Sequence, residues 1–192
     1  MSPHGRAASI LTRLAAVAAS GPLVLIASAP RSWAGPLALT IPSFADGQPI
    51  PVEHTCSGAN RSPALSWSGD VAGAKSFALI VEDPDAPGGT FVHWLAWDLG
   101  ASARSLPAAV PGNDVIPGSG GARQGRNGFG LLGYRGPCPP KGNGVHHYVF
   151  KLLALDVAGL GLPPASSRGQ VEDAAKGHIL ATATYTGTFE RR

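Results

Sequence analysis

Glycine and proline interrupt this chain so often that only short apolar runs remain between them. The 192 residues include 26 glycines and 18 prolines, spread along the chain without a repeat. Runs of about four to eight residues suit buried strands, whereas a helix needs roughly ten or more. Because strands must bury their apolar faces against another layer, the pattern predicts a mainly β fold. We expect a β-sandwich of two antiparallel sheets with one or two short helices.

Six segments of the chain are predicted strands. The strongest are 76–81, 91–99, 147–155 and 179–189, and the weaker are 37–41 and 65–67. A short helix is predicted over 167–176, where a serine opens the segment and Gly177 follows it. Residues 107–136 contain glycine and proline with little periodicity, which predicts a long ordered loop.

The first 34 residues have the layout of a secretory signal peptide. Arg6 and Arg13 precede an apolar run over 14–29, and small residues at Ser32 and Ala34 fit a cleavage site after Ala34. Polar residues and a proline interrupt that run, so no stable membrane span is predicted. We expect a periplasmic or secreted protein whose single domain covers 35–192; an uncleaved leader is the alternative.

The net charge of the chain belongs to this leader. The formal charge is +3, with 15 basic and 12 acidic residues, and Arg6, Arg13 and Arg31 are three of the basic ones. The remaining chain is therefore neutral and has no basic block, which argues against nucleic acid as a partner. No cofactor is predicted, and the sequence leaves a homodimer and a protein partner open.

Cys56 and Cys138 are the two cysteines of the chain. An even number in an exported protein predicts a disulfide, with two buried free thiols as the alternative. Neither cysteine belongs to a CxxC pair, and the histidines lack zinc-ligand spacing, so no metal site is predicted.

An acidic, proline-rich turn follows the first strong strand. In the sequence DPDAPGG, which begins at Asp83, proline restricts both its own backbone and that of the preceding residue. Asp83 and Asp85 are thereby predicted to form a rigid array of acceptors, or else an ordinary turn. The segment does not match a calcium loop, and the chain has neither a P-loop nor a GxSxG motif.

A second cluster precedes the third strong strand. Glycines such as Gly136 leave backbone N–H groups open to a ligand, while the neighbouring prolines stiffen the segment. In a strand, His146 and Tyr148 point to one face and His147 to the other. His146 and Tyr148 are therefore predicted to line one pocket, although a lone histidine in a strand is more often structural.

The two clusters together resemble the paired signature segments of the phosphatidylethanolamine-binding protein family, in particular its bacterial Raf kinase inhibitor-like branch. The matching segments are DPDAP at 83–87 with His93-Trp94, and GPCPPKGNGVHHY at 136–148. The resemblance implies a small pocket at one end of the β-sandwich that takes phosphate, phosphate esters and similar anions. The implied ligand-binding residues are Asp83, Asp85, His93, Gly136, Pro140, His146 and Tyr148.

In that pocket we expect the histidines to donate hydrogen bonds to the anion and the aspartates to accept from an ammonium or hydroxyl group. The predicted function is binding of a small phosphorylated ligand or a headgroup such as phosphoethanolamine, without catalysis. Two alternatives remain, a protein inhibitor of a kinase or protease and a phosphoester hydrolase that uses Asp83, His93 and His146. Arg123 and Arg126, in the segment 117–130, either rim the pocket as an anion funnel or belong to a solvated loop.

Overall fold

The computed structural model describes residues 35–192. The predicted signal peptide, 1–34, lies outside the described residues, so its cleavage stays a prediction. The strands are β1 (Ala38–Thr40), β2 (Leu65–Ser68), β3 (Ser76–Asp83), β4 (Phe91–Gly100), β5 (Ser105–Leu106), β6 (Arg123–Gln124), β7 (Val145–Leu155) and β8 (Ile179–Glu190). The helices are a short 3₁₀ turn at Val52–His54 and α1 (Arg168–Ala175).

The strands form two antiparallel sheets, which confirms the predicted mainly β architecture. One sheet has the order β1-β2-β5, and the other has the order β6-β4-β3-β7-β8. All six predicted strands are present. In the larger sheet, β3 lies between β4 and β7, so both of its backbone edges are hydrogen-bonded.

The larger sheet is covered on both faces. One face packs against the smaller sheet in a core that includes Trp67 and Leu79, and the other packs against α1 in a core that includes Ile80 and Val171. Neighbouring residues of β3 thus enter different cores, since successive side chains of a strand point to opposite faces. This explains why the segment 76–81 is a continuous apolar run and not an alternating one.

The predicted helix is confirmed as α1. Ser167 caps its N-terminus through a capping box with Gln170. Glu82 on β3 accepts a hydrogen bond from Lys151 on β7 at 2.9 Å, and its other carboxylate oxygen forms an ion pair with Arg168, 2.8 Å from Nε. These contacts join the start of the helix to the middle of the sheet. None of the helices within 35–192 has the length and apolar character needed to cross a membrane.

The long segment 107–136 is an ordered loop, as predicted, except for the two residues of β6. Gln124 on β6 is fully buried and accepts a hydrogen bond from Trp94 Nε1 at 2.7 Å. Its amide donates to the carbonyls of Pro111 and Asn113 at 2.7 and 2.8 Å. The buried Gln124 side chain therefore connects the loop to β4 and also connects two parts of the loop, 111–113 and 124, to each other.

Candidate ligand-binding site

Three strand ends meet beside one cavity. Asp83 at the end of β3 pairs with Phe91 at the start of β4, and the start of β7 lies on the other side of β3. Because β3 pairs antiparallel with both β4 and β7, the two signature segments lie close together although they are far apart in sequence. The cavity has a volume of about 310 Å³ and is lined by Asp83, Ala86, Pro87, Gly88, Gly89, Thr90, Phe91, His93, Phe129, Cys138, Pro139, Pro140 and His146.

Asp83 and His146 form a buried pair at the polar end of this cavity. His146 Nδ1 lies 2.8 Å from Asp83 Oδ2, and the two side chains are only 2% and 5% exposed. The other carboxylate oxygen accepts from the backbone N–H of Asp85 at 2.8 Å. Because a carboxylate accepts hydrogen bonds, Nδ1 of His146 carries a proton, and Nε2 is the ring nitrogen left for a ligand.

His93 is the second histidine of the cavity, and its proton is placed by the backbone. Its Nδ1 lies 2.6 Å from the carbonyl oxygen of Arg135, so this nitrogen donates. Burial lowers the pKa of His93 below its ordinary value, although the Arg135 carbonyl and the Asp83 carboxylate act in the opposite direction. The ring is therefore neutral at neutral pH, and Nε2 is an acceptor. The expectation that His93 donates to an anion therefore stays a prediction for the doubly protonated ring.

Tyr148 lies on the same buried face of β7 as His146, which confirms the predicted alternation. Its ring meets that of His93 edge to face, with 5.1 Å between centroids. Tyr148 does not line the cavity itself and instead packs against His93, which does. The buried hydroxyl lies near the Asp83 carboxylate but makes no hydrogen bond of good geometry; burial, followed by the negative Asp83, raises the pKa of Tyr148. The phenol stays neutral.

Asp85 does not line the cavity, in contrast to its expected ligand role. It accepts from both the ring Nδ1 and the backbone N–H of His147, at 2.8 and 2.7 Å, on the exposed side of β7. The hydrogen bond from that N–H is the main reason that the pKa of Asp85 is lowered. Asp85 therefore ties the acidic turn, which forms one wall of the cavity, to the edge of β7.

Gly136 also lies outside the cavity lining. Its backbone N–H donates to the Asn60 side chain at 2.7 Å, so this donor is already used. A Cβ at this position would overlap the backbone carbonyl of His54. The glycine is required for close packing of two segments, and the prediction that it offers a free N–H to a ligand is wrong.

The predicted disulfide between Cys56 and Cys138 is confirmed. Beside it, the backbone N–H of Cys56 donates to the carbonyl of Pro137 at 3.0 Å. Pro137, Pro139 and Pro140 have no backbone N–H, so Cys138 supplies the one backbone donor of the segment 137–140. The disulfide thus holds a segment of the cavity wall, 137–140, whose single backbone donor is at Cys138.

Two aromatic rings form the apolar wall of the cavity, and neither was predicted from the sequence as a site residue. Phe91 and Phe129 meet edge to face with 4.8 Å between centroids, and both line the cavity. Phe129 belongs to the long loop and is 47% exposed. A large aromatic residue within a polar, glycine-rich loop was the available signal.

Of the two alternatives for Arg123 and Arg126, the structure does not support the anion funnel. Neither lines the cavity, and the Arg126 guanidinium donates to the Gly130 carbonyl. Among residues 35–192, no group of three or more histidine, cysteine or acidic side chains is placed to hold a metal ion.

The sequence agrees with this geometry. Residues 40–190 match the family described as phosphatidylethanolamine-binding protein. The chain belongs to this family. As a family member, it is 47% identical over 149 residues to the UPF0098 protein of Aquifex aeolicus, a match that covers 78% of this chain and 85% of that protein.

Two further family members show the same relationship. The crystal structure of YbcL from Escherichia coli, described as a member of the mammalian PEBP family, has a TM-score of 0.77 and 36% identity, and covers 82% of this chain and 100% of that one. A Mycobacterium tuberculosis protein that is named as a lipoprotein, LppC, is 43% identical over 166 residues, which is 85% of this chain and 77% of that protein.

Proposed function

We propose that this protein binds a small phosphorylated ligand, such as a phosphate monoester or the headgroup of a phospholipid, in the cavity beside Asp83 and His146. The observation that most supports this proposal is a single cavity with a polar end and an apolar wall. Its polar end contains a buried carboxylate and two histidines, and its wall contains Phe91 and Phe129. A concave, mostly apolar site with a few convergent polar groups is typical of small-molecule binding.

The polar end offers specific partners to a phosphate. With Nδ1 turned to Asp83, His146 Nε2 is the ring nitrogen left for the phosphate, and it donates when the ring is doubly protonated. Cys138 lines the cavity as well, and in this proposal its backbone N–H is a second donor. The apolar wall then receives the organic part of the ligand. In this proposal Pro140 shapes the wall, and Asp85 and Tyr148 position the residues that touch the ligand.

We also propose that the protein acts outside the cytoplasm, in the periplasm or after secretion. The predicted signal peptide, the Cys56–Cys138 disulfide and the relative named as a lipoprotein support this location.

Calorimetric titration with O-phosphoethanolamine and phenyl phosphate tests the binding function. We expect saturable binding of at least one of these esters by the wild-type protein. His146→Ala should weaken it by roughly 10- to 150-fold, the equivalent of about 1.5–3 kcal/mol for one charge-assisted hydrogen bond.

The chain contains a matched control for this substitution. His178 Nδ1 pairs with Asp156 Oδ1 at the same distance, 2.8 Å, but this pair is half-exposed and lies at the opposite end of β7. His178→Ala should leave the affinity unchanged. Equal effects of the two substitutions, or no binding of either ester by wild type, would contradict the proposed site.

The same samples separate binding from catalysis. Phosphate release from phenyl phosphate is measured over hours at the protein concentration used for titration. A binding protein releases none above the buffer blank. Release that wild type supports and His146→Ala abolishes would instead identify a phosphoester hydrolase.

A further inference from the structure

We propose that the cavity selects oxyanions that carry their own hydrogen-bond donor, and that its preferred ligand class is the singly protonated phosphate monoester. This inference rests on the proposed function and narrows it. The reason is that the polar end of the cavity presents more acceptors than fixed positive charges, an arrangement that suits P–OH and opposes an oxyanion with no proton.

The first acceptor is Asp83. One of its oxygens accepts from the Asp85 backbone N–H and the other from His146 Nδ1. Each carboxylate oxygen has room for a second hydrogen bond. The side chain lines the cavity and is 5% exposed, so an oxyanion oxygen without a proton would face a buried negative charge there.

The second acceptor is His93. The Arg135 carbonyl, 2.6 Å away, holds the ring proton on Nδ1 and leaves a lone pair on Nε2. The ring packs beside those of Phe91, Phe129 and Tyr148, at 5.3, 6.0 and 5.1 Å between centroids, and Asp83 from β3 and His146 from β7 are the titratable groups that act on it. Burial, which lowers the pKa of His93, favours the neutral state in which this lone pair is present.

Fixed positive charge is missing from the cavity lining. Within the described part of the chain, neither arginine nor lysine lines this cavity. The side-chain donors of the lining are the Thr90 hydroxyl and, when the ring is doubly protonated, His146. The two buried acceptors, Asp83 and His93 Nε2, favour a ligand that brings a proton, because a buried acceptor left without a partner is costly. A phosphate monoester supplies that proton below its second pKa, which is about 6.

Phenyl phosphate and phenyl sulfate make the test direct. At pH 5 both are mainly monoanions with the same shape, but the phosphate retains a P–OH and the sulfate has no proton. We expect phenyl phosphate to bind roughly 10- to 100-fold more tightly than phenyl sulfate at pH 5, the range for leaving one buried acceptor unpaired. Its affinity should then fall between pH 5 and 8, whereas phenyl sulfate should not show the same fall.

The outcomes separate this inference from the function on which it rests. Equal affinities for the two ligands at pH 5 overturn the selectivity and leave the anion-binding function intact. Binding of neither ligand overturns both. A parallel fall of both affinities with pH would show that a histidine, and not the ligand, carries the decisive proton, and it would also overturn the selectivity.

Asp83→Asn provides an independent check. An asparagine keeps an oxygen for the Asp85 N–H and turns a donor towards His146 Nδ1, so the neutral His146 ring would carry its proton on Nε2 and point a donor into the cavity. This variant should bind phenyl sulfate more tightly than wild type, and the phosphate preference should shrink by about tenfold. A thermal melt confirms that it is folded. An unchanged phosphate preference in the folded variant would show that Asp83 does not determine the selectivity.

Discussion

Removing the disulfide should both destabilise the protein and loosen one wall of its cavity. The bond joins residues 82 positions apart. In the chain-entropy account, a closed loop of this length contributes about 4.5 kcal/mol to the free energy of unfolding. Cys138 lines the cavity directly and is followed there by Pro139 and Pro140, so loss of the cross-link also frees this wall from the segment around Cys56.

The informative variant is Cys56→Ala, because it removes the cross-link and keeps the Cys138 side chain in the cavity wall. Urea unfolding should show a loss of about 2–5 kcal/mol relative to oxidised wild type. Titration with phenyl phosphate, under conditions in which the variant is folded, should show weaker binding. Reduced wild type should behave as the variant does. A loss below about 1 kcal/mol with unchanged ligand affinity would refute the idea that the disulfide supports the site.

Three further changes test the buried groups around the site. The pKa of His93 is lower in the folded state than in the unfolded state, so its contribution to stability is present above about pH 6.5 and is lost as the pH falls from there through the folded pKa. The free energy of unfolding of His93→Gln should therefore decrease less between about pH 6.5 and 5 than that of wild type. Gly136→Ala should cost about 2 kcal/mol or more in urea unfolding, since its Cβ meets the His54 carbonyl, whereas Gly169→Ala in α1 has open space and should gain up to about 1 kcal/mol. Tyr148→Phe removes a buried hydroxyl without a partner and should leave the melting temperature unchanged or raised, and a lower one would show that the hydroxyl is bonded.

The strands and the helix were predictable because each has a local cause. The segment around Leu79 and Ile80 is apolar at every position, and the structure places it between two cores. Ser167 and Gly177 mark the ends of α1 with ordinary capping chemistry. Periodicity also placed His146 and Tyr148 on one face of β7.

The site was only partly predictable, because several of its properties depend on contacts between distant segments. The pairing of Asp83 with His146 needs β3 and β7 to be neighbours in the sheet. The acceptor state of His93 depends on one carbonyl, that of Arg135, which no sequence pattern identifies. Phe129 reaches the cavity only because the long loop folds back across β4. Composition predicted that the loop would be ordered, but not which of its side chains would matter.

A crystal structure of the protein in complex with phenyl phosphate tests the central claim most directly. We expect a phosphate group in the cavity, with one oxygen at hydrogen-bond distance, about 2.7–3.2 Å, from His146 Nε2 and another facing Asp83 or His93 Nε2. The phenyl ring should lie against Phe91 and Phe129. Density for the ligand at another place on the protein, with this cavity empty at saturating ligand, would contradict it.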